Sequence, residues 1–209
     1  MPGVALGMGV KHSLRADMYW LLSHLYAPPT DECGGASEAL ARMPSVAEGL
    51  RRQGYMLSWR PVLIEDCSEH SREYTRLFVL GDPSPLCPPY ESIMLGYEHL
   101  MSGPAAEIAG LYRAAGFHVP PESPLPPEHV AVELEFMYIL ALLDENREVA
   151  KLERLFLSEH LGRWIGRFSS CVEARSSSRV FRQVARLTRE FVAEDRRALG
   201  PASSGKGPA

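Results

Sequence analysis

Signals for β-structure are nearly missing from this 209-residue chain. It contains no Asn-Gly or Asp-Gly dipeptide to set a tight hairpin and no clean run of period-two alternation, which argues against a sheet protein. No apolar run approaches the length that spans a bilayer. Basic residues do not exceed acidic ones: the formal net charge is −4, and a nucleic-acid partner would call for a basic surface. The four cysteines, Cys33, Cys67, Cys87 and Cys171, show no Cys-x-x-Cys spacing. This excludes an obvious zinc knuckle or thioredoxin-like motif and leads us to expect reduced thiols in a cytosolic setting. Residues Met1 to Val10 are mildly apolar but lack the charged start, long apolar stretch and cleavage site of a secretory leader, so the expected location is cytoplasmic.

Catalytic signatures are scarce as well. There is no Gly-x-Ser-x-Gly elbow, no His-Glu-x-x-His and no phosphate-binding loop. None of the seven histidines follows a glutamate by three positions, which removes the usual di-iron bundle pattern. The sequence gives no reason to expect a metal or another cofactor. The one group that could do acid–base work is Glu128, His129 and Glu133. Its simplest reading is helix capping: an acid suits a helix N-terminus, and the histidine bonds locally.

What is present is helical. An apolar fraction of 45% suffices for a buried core. Ser13 is placed to cap a helix ending near Tyr26, before Pro28-Pro29. A second helix is expected over Ser37 to Tyr55, interrupted or restarted at Pro44. A third should start near Arg60-Pro61, carry Tyr74, Leu77 and Phe78, and break near Cys67. Gly81 to Pro89 holds four prolines and reads as loop. Short helices are expected over Glu91 to Met101 and Pro104 to Ala115. Phe117 to Pro127 is a semi-rigid connection. Glu128 to Asn146 is apolar nearly all round, which suits the centre of a bundle. Val149 to about Val172 and Ser178 to Leu199 complete the pattern, the last with an arginine-rich solvated face. The expectation is all-α: one helical bundle over 13–199, with halves of about 13–116 and 128–199 joined by a hinge at 117–127. Residues 1–12 would be a mobile extension and 200–209 a disordered tail. A proline-stiffened hinge between two halves suggests a monomer with a minor domain-swapped dimer.

Two segments carry the strongest functional signal. One is Cys87-Pro88-Pro89-Tyr90-Glu91-Ser92; the other runs from Pro126-Pro127-Glu128-His129 through Glu133 to Met137. Each leads a proline-stiffened loop into a helix start, where backbone N–H groups are free. Glu133 and Glu135, two apart on one helix, cannot share a face, so one should be solvated and the other paired. Together with Tyr74-Thr75-Arg76-Leu77-Phe78 and the segment Phe156 to Trp164, these stretches make the chain resemble the TorD/DmsD/NarJ family of cytoplasmic chaperones that mature molybdenum-containing redox enzymes. The resemblance covers about Leu14 to Leu199. In the family a Pro-x-Asp-His step opens the central helix and contributes to ligand binding; Pro126, Glu128 and His129 match it, with glutamate for aspartate.

The resemblance implies a helical chaperone, not an enzyme. It implies binding of the N-terminal twin-arginine signal of a molybdoenzyme catalytic subunit, held back from export until the molybdopterin cofactor is inserted. The peptide-binding residues it implies are Tyr74, Tyr90, Glu91, Ser92, Glu128, His129 and Glu133, with the acids meeting arginines and Tyr90 covering apolar side chains. His160 is a weaker candidate, because the Phe156 to Trp164 segment reads as core. Two alternatives stand beside this: a NarJ-like assembly factor that binds a mature subunit without reading a signal, and a helical enzyme using Glu128, His129 and Glu133.

Overall fold

The computed structural model describes residues 13–29, 33–81, 84–120 and 123–200. The extension 1–12 and nearly all of the tail 200–209 lie outside them. The helices are α1 (Leu14–Tyr26), α2 (Gly34–Arg52), α3 (Cys67–Phe78), α4 (Glu91–Leu95), α5 (Pro104–Ala114), α6 (Val130–Leu142), α7 (Arg147–Phe156), α8 (Gly162–Arg175) and α9 (Arg179–Leu199). A π-helical turn, Leu157–Leu161, joins α7 to α8. Among the described residues no strand forms, only an isolated antiparallel bridge between Tyr90 and His129. The fold is all-α.

Helix α1 starts where expected, with the Ser13 hydroxyl accepting Ala16 N–H at 3.4 Å. It packs between α6 and α2. One hydrophobic core runs from Ala16 on α1 to Val192 on α9. Helix α6 is its axis: apart from Glu135, each of its residues is buried or nearly so. Its central position follows from its composition, since a helix apolar on every side finds no stable place at a surface.

Three expectations are corrected. Helix α2 runs through Pro44 without a break. The proline withholds one N–H from Leu40, but Met43, Val46, Ala47 and Leu50 are buried on its inner face and hold the helix together across it. The third helix starts at Cys67, not near Pro61. Residues 55–66 form no helix; Tyr55, Leu57 and Trp59 point inward and Met56 and Ser58 outward. This alternation was hidden in the sequence because Met56, an exposed position, is apolar. The segment's backbone is held by side chains: Arg51 donates to the Leu57 and Trp59 carbonyls (2.8 and 3.0 Å), and Ser58 N–H donates to Glu190 at 2.7 Å. Third, the cysteines are not free thiols. Cys33 bonds Cys67 and Cys87 bonds Cys171. Separations of 34 and 84 residues carry no local signature, so only tertiary folding reveals the pairs.

Two buried polar networks tie the helices together. Arg15 on α1 donates to Asp195 on α9 (2.6 Å), to Glu153 on α7 (2.5 Å) and to Asp144 (3.1 Å). The Tyr19 and Tyr55 hydroxyls also donate to Asp195, at 2.8 and 2.7 Å. Glu73 on α3 accepts Arg76 Nε at 2.8 Å, the Ser176 hydroxyl at 2.8 Å and Ser177 N–H at 2.7 Å, which fixes the turn into α9. Burial alone would raise the Glu73 pKa, but these donors hold it at about 2.

Candidate functional site

The two segments singled out above, about forty residues apart in sequence, meet in space. Glu91 N–H donates to the Glu128 carbonyl at 3.1 Å and Val130 N–H to the Pro89 carbonyl at 2.9 Å, forming the Tyr90–His129 bridge. The prolines explain why the pairing stops there: Pro88 and Pro89 have no N–H with which to extend a ladder. Helix α4 therefore begins against the start of α6, and the side chains at that junction serve both ends.

Glu128 is fully buried. Its Oε2 accepts Ser92 N–H at 2.9 Å and its Oε1 accepts Met101 N–H. It caps α4 from a distance, where Tyr90 at the N-cap position makes no side-chain cap hydrogen bond. His129, 1% exposed, caps α6: its Nδ1 accepts Ala131 N–H at 3.1 Å. Burial pushes its pKa down to about 3, so the ring is neutral and its proton lies on Nε2. Glu133 accepts Trp164 Nε1–H at 3.1 Å, and Glu91 Oε2 meets His160 Nδ1 at 3.3 Å. Burial, then the charge of Glu91, pushes the Glu133 pKa well above the carboxylate range. Both causes disfavour the charged form of Glu133. The remaining oxygens of both, Glu91 Oε1 and Glu133 Oε1, are buried without a hydrogen-bond partner.

This arrangement corrects one expectation. Glu91, Glu128 and Glu133 do not edge an open groove; all three are sealed from solvent, as is Ser92. Tyr90 is half-buried and edge-on to His129, with ring centroids 5.4 Å apart. Tyr74 lies in the core: its hydroxyl donates to the Tyr26 carbonyl at 3.4 Å and its ring meets Phe78. It still backs the junction, since burial and then the nearby Tyr90 raise its pKa. The acid–base reading of Glu128, His129 and Glu133 also loses its base. Both oxygens of the first, and the free nitrogen of the second, are committed to backbone N–H groups.

Some contributors were not singled out. Trp164 read only as core, yet its indole N–H orients Glu133. Tyr112 donates to the Pro127 carbonyl at 2.9 Å and pins the connection to α6. The π-turn sets where His160 and Trp164 sit. It depends on Gly162, where a Cβ would lie 2.2 Å from the Leu157 carbonyl oxygen. Of the acids on α6, Glu133 is the inner one and Glu135 the exposed one.

Comparison with known proteins agrees with this architecture. A solved structure described as a redox enzyme maturation protein from Archaeoglobus fulgidus superposes with a TM-score of 0.60 at 23% identity, covering 90% of this chain and 99% of that one. The Chaperone protein TorD of Shewanella loihica (strain ATCC BAA-1088 / PV-4) is 28% identical over 202 residues, 89% of this chain and 93% of that protein. The protein of the same name from Vibrio cholerae serotype O1 (strain M66-2) is 23% identical over 88% of this chain and 91% of its own length. That from Psychrobacter sp. (strain PRwf-1) is 28% identical, but the match spans only 62% of its length. These relatives are named as chaperones, not enzymes. The family model for the nitrate reductase delta subunit matches residues 53–170, more than half of the chain and the whole of the junction described above. This chain belongs to the nitrate reductase delta subunit family, the TorD/NarJ group.

Proposed function

We propose that this protein is a cytoplasmic chaperone that binds the N-terminal segment of a molybdopterin-containing oxidoreductase subunit and keeps it competent for cofactor insertion before export. The observation that carries the reading is the near full-length similarity to proteins named as TorD chaperones, with the fold of a redox enzyme maturation protein. The interlocked Pro89–Ser92 and Pro126–Glu133 segments add a rigid surface beside α6. In it Tyr90, with Pro126 and Pro127, keeps exposed area to offer, and Glu91, Ser92, Glu128, His129, Glu133 and Tyr74 are buried behind it. The twin-arginine leader is the segment we propose to be read. The client is therefore a polypeptide, and neither nucleic acid nor membrane is part of the proposal.

Calorimetric titration with a twin-arginine leader peptide tests it. The leader should bind, and a Lys-Lys version should bind less well, since a planar guanidinium stacks on an aromatic face such as that of Tyr90 better than an ammonium does. Equal binding of both peptides would remove the signal-reading step. No binding of the leader, with binding of the mature subunit, would favour the NarJ-like alternative.

A further inference from the structure

A second surface, away from the junction, has the features of a peptide groove. It lies between the end of α1, the outer face of α6 and the connection after α5, and encloses about 790 Å³. On α6 its wall is the stripe Ala131, Glu135, Tyr138 and Leu142, spaced by four, three and four residues and so on one helical face. The facing wall is Phe117, Val119 and Leu125, all partly buried against the core. The stripe runs about 16 Å along the helix, the length of about five extended residues. A groove this long and this apolar is suited to a stretch of chain.

Its charge is one-sided. Among the described residues the lining holds one carboxylate, Glu135, two histidines, His24 and His118, and no lysine or arginine. Among the described residues no cation lies within salt-bridge distance of Glu135, although His24 is near enough to lower its pKa against the larger raising effect of burial. An acid set in an apolar wall with no paired cation favours a basic partner.

We infer that this groove seats an apolar stretch of the client polypeptide, with an adjacent arginine or lysine of that polypeptide paired to Glu135. The inference rests on the chaperone reading for the client's identity and on the groove alone for its chemistry.

Two labelled peptides test it by fluorescence anisotropy: the twin-arginine leader, and a designed Leu/Ala peptide with one terminal arginine. Each carries a benzophenone in its apolar stretch. Glu135→Gln should weaken the designed peptide about two- to fivefold, the range of a partly exposed ion pair, and Glu135→Arg should weaken it further. A glutamine-for-arginine peptide should not respond to Glu135→Gln. Cross-links should map to residues 117–125 and to α6. If the designed peptide binds there and the leader does not, the groove stands and the signal-reading proposal falls. If the leader binds while both Glu135 variants behave as the parent and cross-links fall on 87–92, the groove inference is overturned and the chaperone reading survives. Binding of neither peptide overturns both.

Discussion

Replacing Glu128 with glutamine separates a residue that touches the client from one that holds the site together. The carboxylate accepts two backbone N–H groups, Ser92 at 2.9 Å and Met101, and is fully buried. Glutamine keeps one acceptor oxygen, but its NH2 must face the second N–H, donor against donor. The orphaned donor costs about 1–3 kcal/mol, and exchanging a charge-assisted bond for a neutral one costs about 1 kcal/mol more. The expected destabilisation is about 2–4 kcal/mol, a large share of the ~5–15 kcal/mol typical of a domain. In urea this should move the midpoint down by about 1–2 M with the slope unchanged. Glu128→Asp keeps the charge but not the reach, and should fall between parent and glutamine variant. Under conditions where the variants are folded, leader affinity should change little. An unaltered urea midpoint together with a tenfold loss of leader affinity would refute the argument and make Glu128 a direct ligand.

Glu153 should make stability depend on pH. Burial raises its pKa to about 7 despite Arg15, so its folded-state value lies above its unfolded one. Its contribution is then fully present below about pH 4.5 and is lost as pH rises through about 7. Glu153→Gln should flatten that decline in urea melts at pH 5 to 8, and an equally steep decline in the variant would contradict it. Arg15→Met leaves Asp195 buried without its cation and should cost about 3–5 kcal/mol, read as a fall in melting temperature. Thiol titration of the unreduced protein should find no free thiol among the four cysteines. Reduction should remove up to about 4 kcal/mol for each bridge, given loops of 34 and 84 residues, and an unchanged melting temperature would argue against both. Because the Cys87–Cys171 bridge joins residues on either side of the 117–127 connection, a minor domain-swapped dimer exchanging there should carry it between chains and run as a dimer on non-reducing gels. Light scattering that finds only a tight tetramer would contradict the swap.

Helix identity was legible in the sequence because it rests on local periodicity and on a cap such as Ser13. The same holds for the central place of α6, whose residues leave no polar face to expose. The start of α3 was misplaced because Val62 and Leu63 continue an apolar pattern, while residues 57–59 are held out of a helix by Arg51 and by Glu190, the latter on α9 and outside any local window. The importance of the two proline-led segments could be read from their residue types. Their mutual pairing could not, since a bridge between residues 39 positions apart depends on how α4 docks.

Sequence alone thus determined the fold class, most helix boundaries and the two segments worth attention, because propensity, capping and hydrophobic period are properties of neighbouring residues. Tertiary structure decided which side of a surface each charge occupies. Glu133 and Glu135 are two residues apart on the same helix with the same side chain. One became a buried core acid bonded to Trp164, the other an exposed acid in the wall of an apolar groove, because different elements pack over the two faces of α6. The disulfides were decided in the same way: four scattered cysteines specify no pairing until the packing of α2, α3 and α8 brings Cys33 to Cys67 and Cys87 to Cys171.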